Sequence, residues 1–137
     1  MNEQQLQEAV VTYIQLKYKG IRYCASAGGL RTSISQASKM KRAGYVKGVP
    51  DLQIMESRHN YYGLFLELKT KKGRLSPHQK QWLEDLNNKG YLAQCCKGLE
   101  EALDLLGASV YAYAGQEALT LSGSTLARNF DETMQIV

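Results

Sequence analysis

A single α/β domain with a mixed central sheet is the fold the sequence predicts, and three observations predict it. An apolar stripe at helical spacing opens the chain, carried by Leu6, Ala9, Val10, Tyr13 and Ile14. Short strand-like runs come next, bounded by glycines or polar turns. A helix-start signal, Ser76-Pro77-His78-Gln79, then falls between two of those runs. Strands interleaved with helices imply a mixed sheet covered on both sides.

Taken in order, residues 3–18 form the amphipathic helix and residues 21–25 a short strand. The loop Ser26-Ala27-Gly28-Gly29 leads into a basic stretch, Ser35–Ala43, that reads as a short helix, and Gly44 and Gly48 interrupt the chain beyond it. Asp51–Glu56 and Tyr62–Thr70 are strand-like, and the polar Ser57-Arg58-His59-Asn60 joins them as a hairpin. Ser76 caps the next helix, Pro77 takes its first position and Gln79 completes a capping box; Trp82, Leu83 and Leu86 give its apolar stripe and Gly90 ends it. Tyr91–Cys96 reads as a buried strand and Leu99–Leu106 as a helix. The order is α-β-β-β-α-β-α over residues 1–106, with an extension, 107–137, whose role the sequence leaves open, oligomerisation being one candidate. In it, Tyr111, Tyr113 and the run Ala118–Leu121 read as strands without visible chemistry.

With 44% hydrophobic and 22% charged residues in 137, the chain is neither a disordered tail nor a collagen-like repeat, and it suffices for one core without disulfide or zinc support. The cysteines, Cys24 and the pair Cys95-Cys96, have no metal-type spacing and suit buried, inert roles in a reducing compartment. No apolar run is long enough to span a bilayer, and the polar start Met1-Asn2-Glu3-Gln4-Gln5 is unlike a signal peptide, so a cytoplasmic location is expected. Charge is distributed unevenly. No acid occurs from Ala9 to Pro50, where eight bases stand: Lys17, Lys19, Arg22, Arg31, Lys39, Lys41, Arg42 and Lys47. Such a surface suits a polyanion such as DNA as well as it suits plain solvation.

The strand Leu64-Phe65-Leu66-Glu67-Leu68-Lys69 sets two charges in an apolar run. At period two, Phe65, Glu67 and Lys69 share one face and the leucines the other. Burying these charges costs desolvation energy that either a mutual ion pair or a metal site offsets. The hairpin brings Asp51, directly after Pro50, near Glu67, and two such carboxylates repel unless a proton or cation intervenes. Two carboxylates, a carbonyl and waters suit Mg²⁺ or Mn²⁺.

Gly48-Val49-Pro50-Asp51 followed by Glu67-Leu68-Lys69 resembles the PD-(D/E)XK nuclease signature. The ordered set around it is far more specific: Arg31-Thr32-Ser33-Ile34-Ser35, Lys39-Met40-Lys41-Arg42-Ala43-Gly44, then Gly73-Arg74-Leu75-Ser76-Pro77-His78-Gln79 and Gly90. Together these resemble the VRR-NUC (virus-type replication-repair nuclease) domain over residues 3–106. The resemblance implies a restriction-endonuclease-like core, with Asp51, Glu67 and the Leu68 carbonyl as ligands of Mg²⁺ or Mn²⁺. Lys69 would orient or deprotonate the attacking water, or offset charge on the phosphate. The family also carries a glutamate on its first helix. On a helical wheel Glu3 lies about 35° from the centre of the apolar stripe and Glu8 about 175° away, so Glu3 is the expected metal-site partner. Gln79 belongs to the family's active-site surroundings or serves only as the helix cap, and the two roles are compatible. His59 and His78 read as surface residues.

Arg31, Lys39, Lys41, Arg42, Lys47, Lys71 and Lys72 are the expected phosphate contacts. The resemblance implies a metal-dependent DNA endonuclease acting on branched DNA such as four-way junctions or flaps, as a homodimer with two sites. A catalytically inactive DNA-binding module of the same fold, with a structural ion pair, is the alternative, and a sequence-specific restriction enzyme the third.

Overall fold

The computed structural model describes residues 1–26 and 33–111. Helix α1, Glu3–Lys17, begins where Asn2 and Gln5 cap each other: the Asn2 Oδ1 accepts from the Gln5 N–H at 2.8 Å and the Gln5 Oε1 accepts from the Asn2 N–H at 2.9 Å. Its buried stripe is Leu6, Val10 and Ile14. Strand β1, Tyr23–Ala25, pairs antiparallel with β2, Leu52–Ile54, and β2 pairs antiparallel with β3, Leu64–Lys69. Between β1 and β2 stands helix α2, Ile34–Arg42. Helix α3, Pro77–Asn88, carries the chain across so that β4, Leu92–Lys97, runs parallel to β3, and after β4 comes α4, Leu99–Leu106. The sheet order is β1-β2-β3-β4.

The two faces of the sheet are covered differently. Leu52, Ile54, Leu64, Leu66, Leu68 and Cys96 meet α1 and α4 in the main core. On the other face Phe65 and Ala93 pack under Leu86, with Trp82, Leu83 and Tyr91 beside them. The Tyr91 ring meets Phe65 edge-on at 5.3 Å. Each buried leucine contributes about 1.5–3 kcal/mol. The smaller second core leaves the carboxyl end of β3 on that face for polar groups.

Five expectations require correction, the first being the buried strand Tyr91–Cys96: β4 runs Leu92–Lys97 at an edge of the sheet, with only Ala93 and Cys96 buried. Gly107–Tyr111 is a π-helical turn continuing α4, so Tyr111 is not in a strand. Cys24 is exposed, because β1 is an edge strand; of the three thiols only Cys96 is fully buried, and burial pushes it up to about 12. The hairpin strands are shorter than the apolar runs, since β2 starts at Leu52 and β3 at Leu64. The first strand is also shorter, because Ile21 and Arg22 precede it. Arg31, the glycines at 28 and 29, Tyr113, Ala118–Leu121 and the rest of the extension past residue 111 lie outside the described residues.

Candidate active site

The β2–β3 register pairs Leu52 with Leu66, so one residue further Asp51 faces Glu67 and two residues further Pro50 faces Leu68. Pro50 has no N–H to donate, so the ladder bond that the Leu68 carbonyl would accept there cannot form. The Leu68 N–H is taken instead by the Asp51 carboxylate, with 2.7 Å from nitrogen to Oδ2. A proline and an aspartate in sequence thus end the ladder, anchor one carboxylate and leave a backbone oxygen open beside it. The Asp51 carbonyl points the other way and accepts from the Ser26 N–H at 3.0 Å.

Glu67 is 2% exposed. Its Oε2 accepts from the Gln79 Nε2 at 3.1 Å. The same Gln79 side chain closes the cap of α3: its Oε1 accepts from the Ser76 N–H at 2.9 Å while its own backbone N–H donates to the Ser76 Oγ at 3.1 Å. One side chain thus caps α3 and touches Glu67, and the cap fixes which end of the amide faces Glu67. The Lys69 Nζ lies 3.7 Å from the Glu67 Oε2 and 3.9 Å from the Glu3 Oε2, beyond hydrogen-bond length but within Coulombic reach. Gly73 makes room for that pair, since a Cβ there would sit 3.3 Å from both the Glu3 Oε2 and the Lys69 side chain.

The electrostatics are those of a site short of positive charge. Burial, then the charge of Asp51, pushes the Glu67 carboxyl up to about 8 despite Lys69. Burial also raises Asp51, opposed by the Leu68 N–H bond. Two facing carboxyl groups repel when both are ionised, a penalty that a dication between them would offset. Two carboxylates, the Leu68 carbonyl and water form an oxygen-only donor set that fits Mg²⁺ or Mn²⁺. Among the described residues no three His, Cys, Asp or Glu side chains converge as a metal cluster. Glu3 stands across Lys69 from the carboxylate pair.

The structure therefore gathers Asp51, Glu67, Leu68, Lys69, Gln79 and Glu3. Two further neighbours complete the surroundings. Cys95 lies opposite Glu67 in the parallel register, and burial followed by the charge of Glu67 keeps its thiol protonated. Gly48, at φ +94, lies so close to the start of α3 that a Cβ there would come within 2.8 Å of the His78 backbone. The Gly-x-Pro-Asp spacing is the available signal for Gly48, whereas nothing local marks Cys95. Gly48→Ala is expected to destabilise the fold by about 2 kcal/mol or more, through the positive φ and the backbone clash, as read by urea unfolding. It should also shift Gln79 from Glu67. Of the basic residues, Lys39, Lys41 and Arg42 end α2, Lys47 lies in the loop before Asp51, and Lys71 and Lys72 form the turn after β3. Lys41, Arg42, Lys47, Lys71 and Lys72 are exposed, as is Lys39.

Residues 1–100 match a family model described as the VRR-NUC domain. A solved structure named a VRR_NUC domain protein is 28% identical, over 81% of this chain and 89% of that chain, with a TM-score of 0.66. A second, named VRR_NUC domain, is 18% identical over 76% of this chain and 92% of that chain at a TM-score of 0.51, a likeness of fold. No curated protein matches the chain.

Proposed function

This chain belongs to the VRR-NUC domain family, and from that premise we propose that it is a metal-dependent DNA endonuclease, selective for branched DNA. The observation that carries the proposal is the pairing of half-buried Asp51 opposite buried Glu67, next to the Leu68 carbonyl and the Lys69 ammonium group. Asp51, Glu67 and the Leu68 carbonyl would hold Mg²⁺ or Mn²⁺. The bound dication would lower the pKa of water and neutralise charge building on the phosphate.

The chain's own groups supply positioning. The Leu68 N–H fixes Asp51, and the Gln79 amide fixes Glu67. Lys69, held between Glu67 and Glu3, donates to the incoming water and aligns it with the phosphorus. Its positive charge also offsets the negative charge that accumulates as the water oxygen bonds to phosphorus and the opposite P–O bond breaks. Glu3 keeps Lys69 from swinging out to solvent. No helix among the described residues is long and apolar enough to cross a membrane.

Cleavage of labelled four-way junction, flap and linear duplexes tests this reading. Hydrolysis is expected only with Mg²⁺ or Mn²⁺, faster on branched substrates, stopped by a chelator and lost in Asp51→Ala. Binding without cleavage at any metal concentration would instead identify an inactive DNA-binding module with a structural ion pair.

A further inference from the structure

Residues 33–50 stand between β1 and β2 and lead back to the sheet at the candidate active site. Beside that return the Ser26 N–H donates to the Asp51 carbonyl at 3.0 Å. These residues include α2, a nine-residue helix with no buried residue. Isolated helices shorter than about 12–15 residues are marginal in water, and packing of one face normally supplies the missing stability. In α2 only Met40 is even partly buried. After α2 the chain turns at Gly44, φ +104, and presents Tyr45 and Val46, 54% and 52% exposed. Lys39, Lys41, Arg42 and Lys47 flank them in sequence, with no acid between Ala9 and Pro50.

The occupant follows from charge and from reach. A second copy of this face would bring like charge against like charge, whereas a polyanion is complementary. Lys47 is four residues and Tyr45 six residues from Asp51. A fully extended chain therefore keeps them within about 14 and 22 Å of it. At about 3.4 Å per nucleotide, Tyr45 reaches no further than about six steps from the phosphate at Asp51. An exposed tyrosine among lysines and arginine has the makings of a stacking platform in a positively charged groove.

We propose that residues 33–50, with α2 and the exposed Tyr45 and Val46 that follow it, dock the unpaired nucleotides of a branched DNA next to the scissile phosphate. This rests on the nuclease reading and deepens it, by naming the part of the chain that separates branched from linear DNA. Tyr45 would stack on an unpaired base, and Lys39 and Arg42, which share a helix face, would hold the phosphates of that strand. A base inside a continuous duplex is already stacked and offers Tyr45 nothing.

The test is equilibrium binding of the full chain in chelator-containing buffer, where cleavage does not intervene. The probes are a flapped duplex with 2-aminopurine in the unpaired strand and a linear duplex of equal length. Tyr45→Ala is expected to weaken flap binding about tenfold and to abolish 2-aminopurine quenching, with duplex binding unchanged within about twofold; Tyr45→Trp should retain both. Lys39→Gln with Arg42→Gln should lower the salt dependence on both probes. Equal loss on both probes, or no loss on either, would overturn the proposal, as would loss of a dimer by Tyr45→Ala in sedimentation, which would make this face a contact between copies. The two readings fail separately. A wild-type chain that discriminates flaps through Tyr45 yet cleaves nothing would refute only the nuclease, and one that cleaves flaps with Tyr45→Ala silent would refute only the docking site.

Discussion

Glu67→Gln is expected to cut metal-dependent cleavage about a thousandfold or more while leaving the metal-free protein as stable as the parent near neutral pH. The amide has the shape of the carboxyl group, and its carbonyl oxygen can still accept the Gln79 hydrogen bond now made to the Glu67 Oε2. What changes is charge. A neutral amide is a poor ligand for a hard dication, and loss of several kcal/mol of charge stabilisation corresponds to about three or more factors of ten in rate. Stability should hold because the Glu67 carboxyl, pushed up to about 8 by burial and by Asp51, is already largely neutral at pH 7 in the absence of metal. A structural ion pair predicts the opposite. If Glu67 and Lys69 served the fold alone, removing the carboxylate would strand a buried ammonium and cost about 3–5 kcal/mol. Single-turnover cleavage of a labelled flap and urea unfolding of the same two preparations separate the cases.

The site is legible in the sequence where its rules are local. The capping box of α3 is four consecutive residues, and both its bonds form; α4 has the bounds that its apolar spacing predicts. Asp51 and Glu67 can be placed face to face because a hairpin register follows from period two once its strands are found. The strand β2 starts one residue later than the apolar run suggests, for a reason that belongs to the site. Pro50 has no donor and Asp51 spends its side chain on the Leu68 N–H, so regular pairing begins only at Leu52. The features hidden from the sequence depend on the third dimension. The parallel strand that sets Cys95 opposite Glu67 arrives only after a helix, and no local pattern fixes that register. Nor does the periodicity of residues 34–42 reveal that the whole helix stands clear of the core. The helical wheel finds Glu3, yet its tie is to Lys69, at the far end of β3, through a gap that Gly73 keeps open.

Metal-free protein is expected to lose stability as pH rises, and a divalent metal to reverse the loss. Glu67 has an ordinary value of 4.5 and is raised to about 8 in the fold. Between these values the unfolded chain has released this proton and the folded chain has kept it. The group's contribution is therefore fully present below about 4.5 and is lost as pH rises through about 8. A shift of that size corresponds to a fall of up to roughly 5 kcal/mol. Asp51, raised by the same burial, moves in the same direction. In Glu67→Gln most of this slope should vanish, which assigns it to the pair rather than to the rest of the chain. A dication needs both carboxylates ionised, so its binding near pH 7 should release about one proton, visible as a buffer-dependent heat in calorimetry. With metal at about a hundred times its dissociation constant the folded state gains about 2.7 kcal/mol, and the gain grows with pH because fewer protons must be displaced. A stability profile flat across this range, or metal binding without proton release, would mean that Asp51 and Glu67 are not held as a facing pair waiting for a cation.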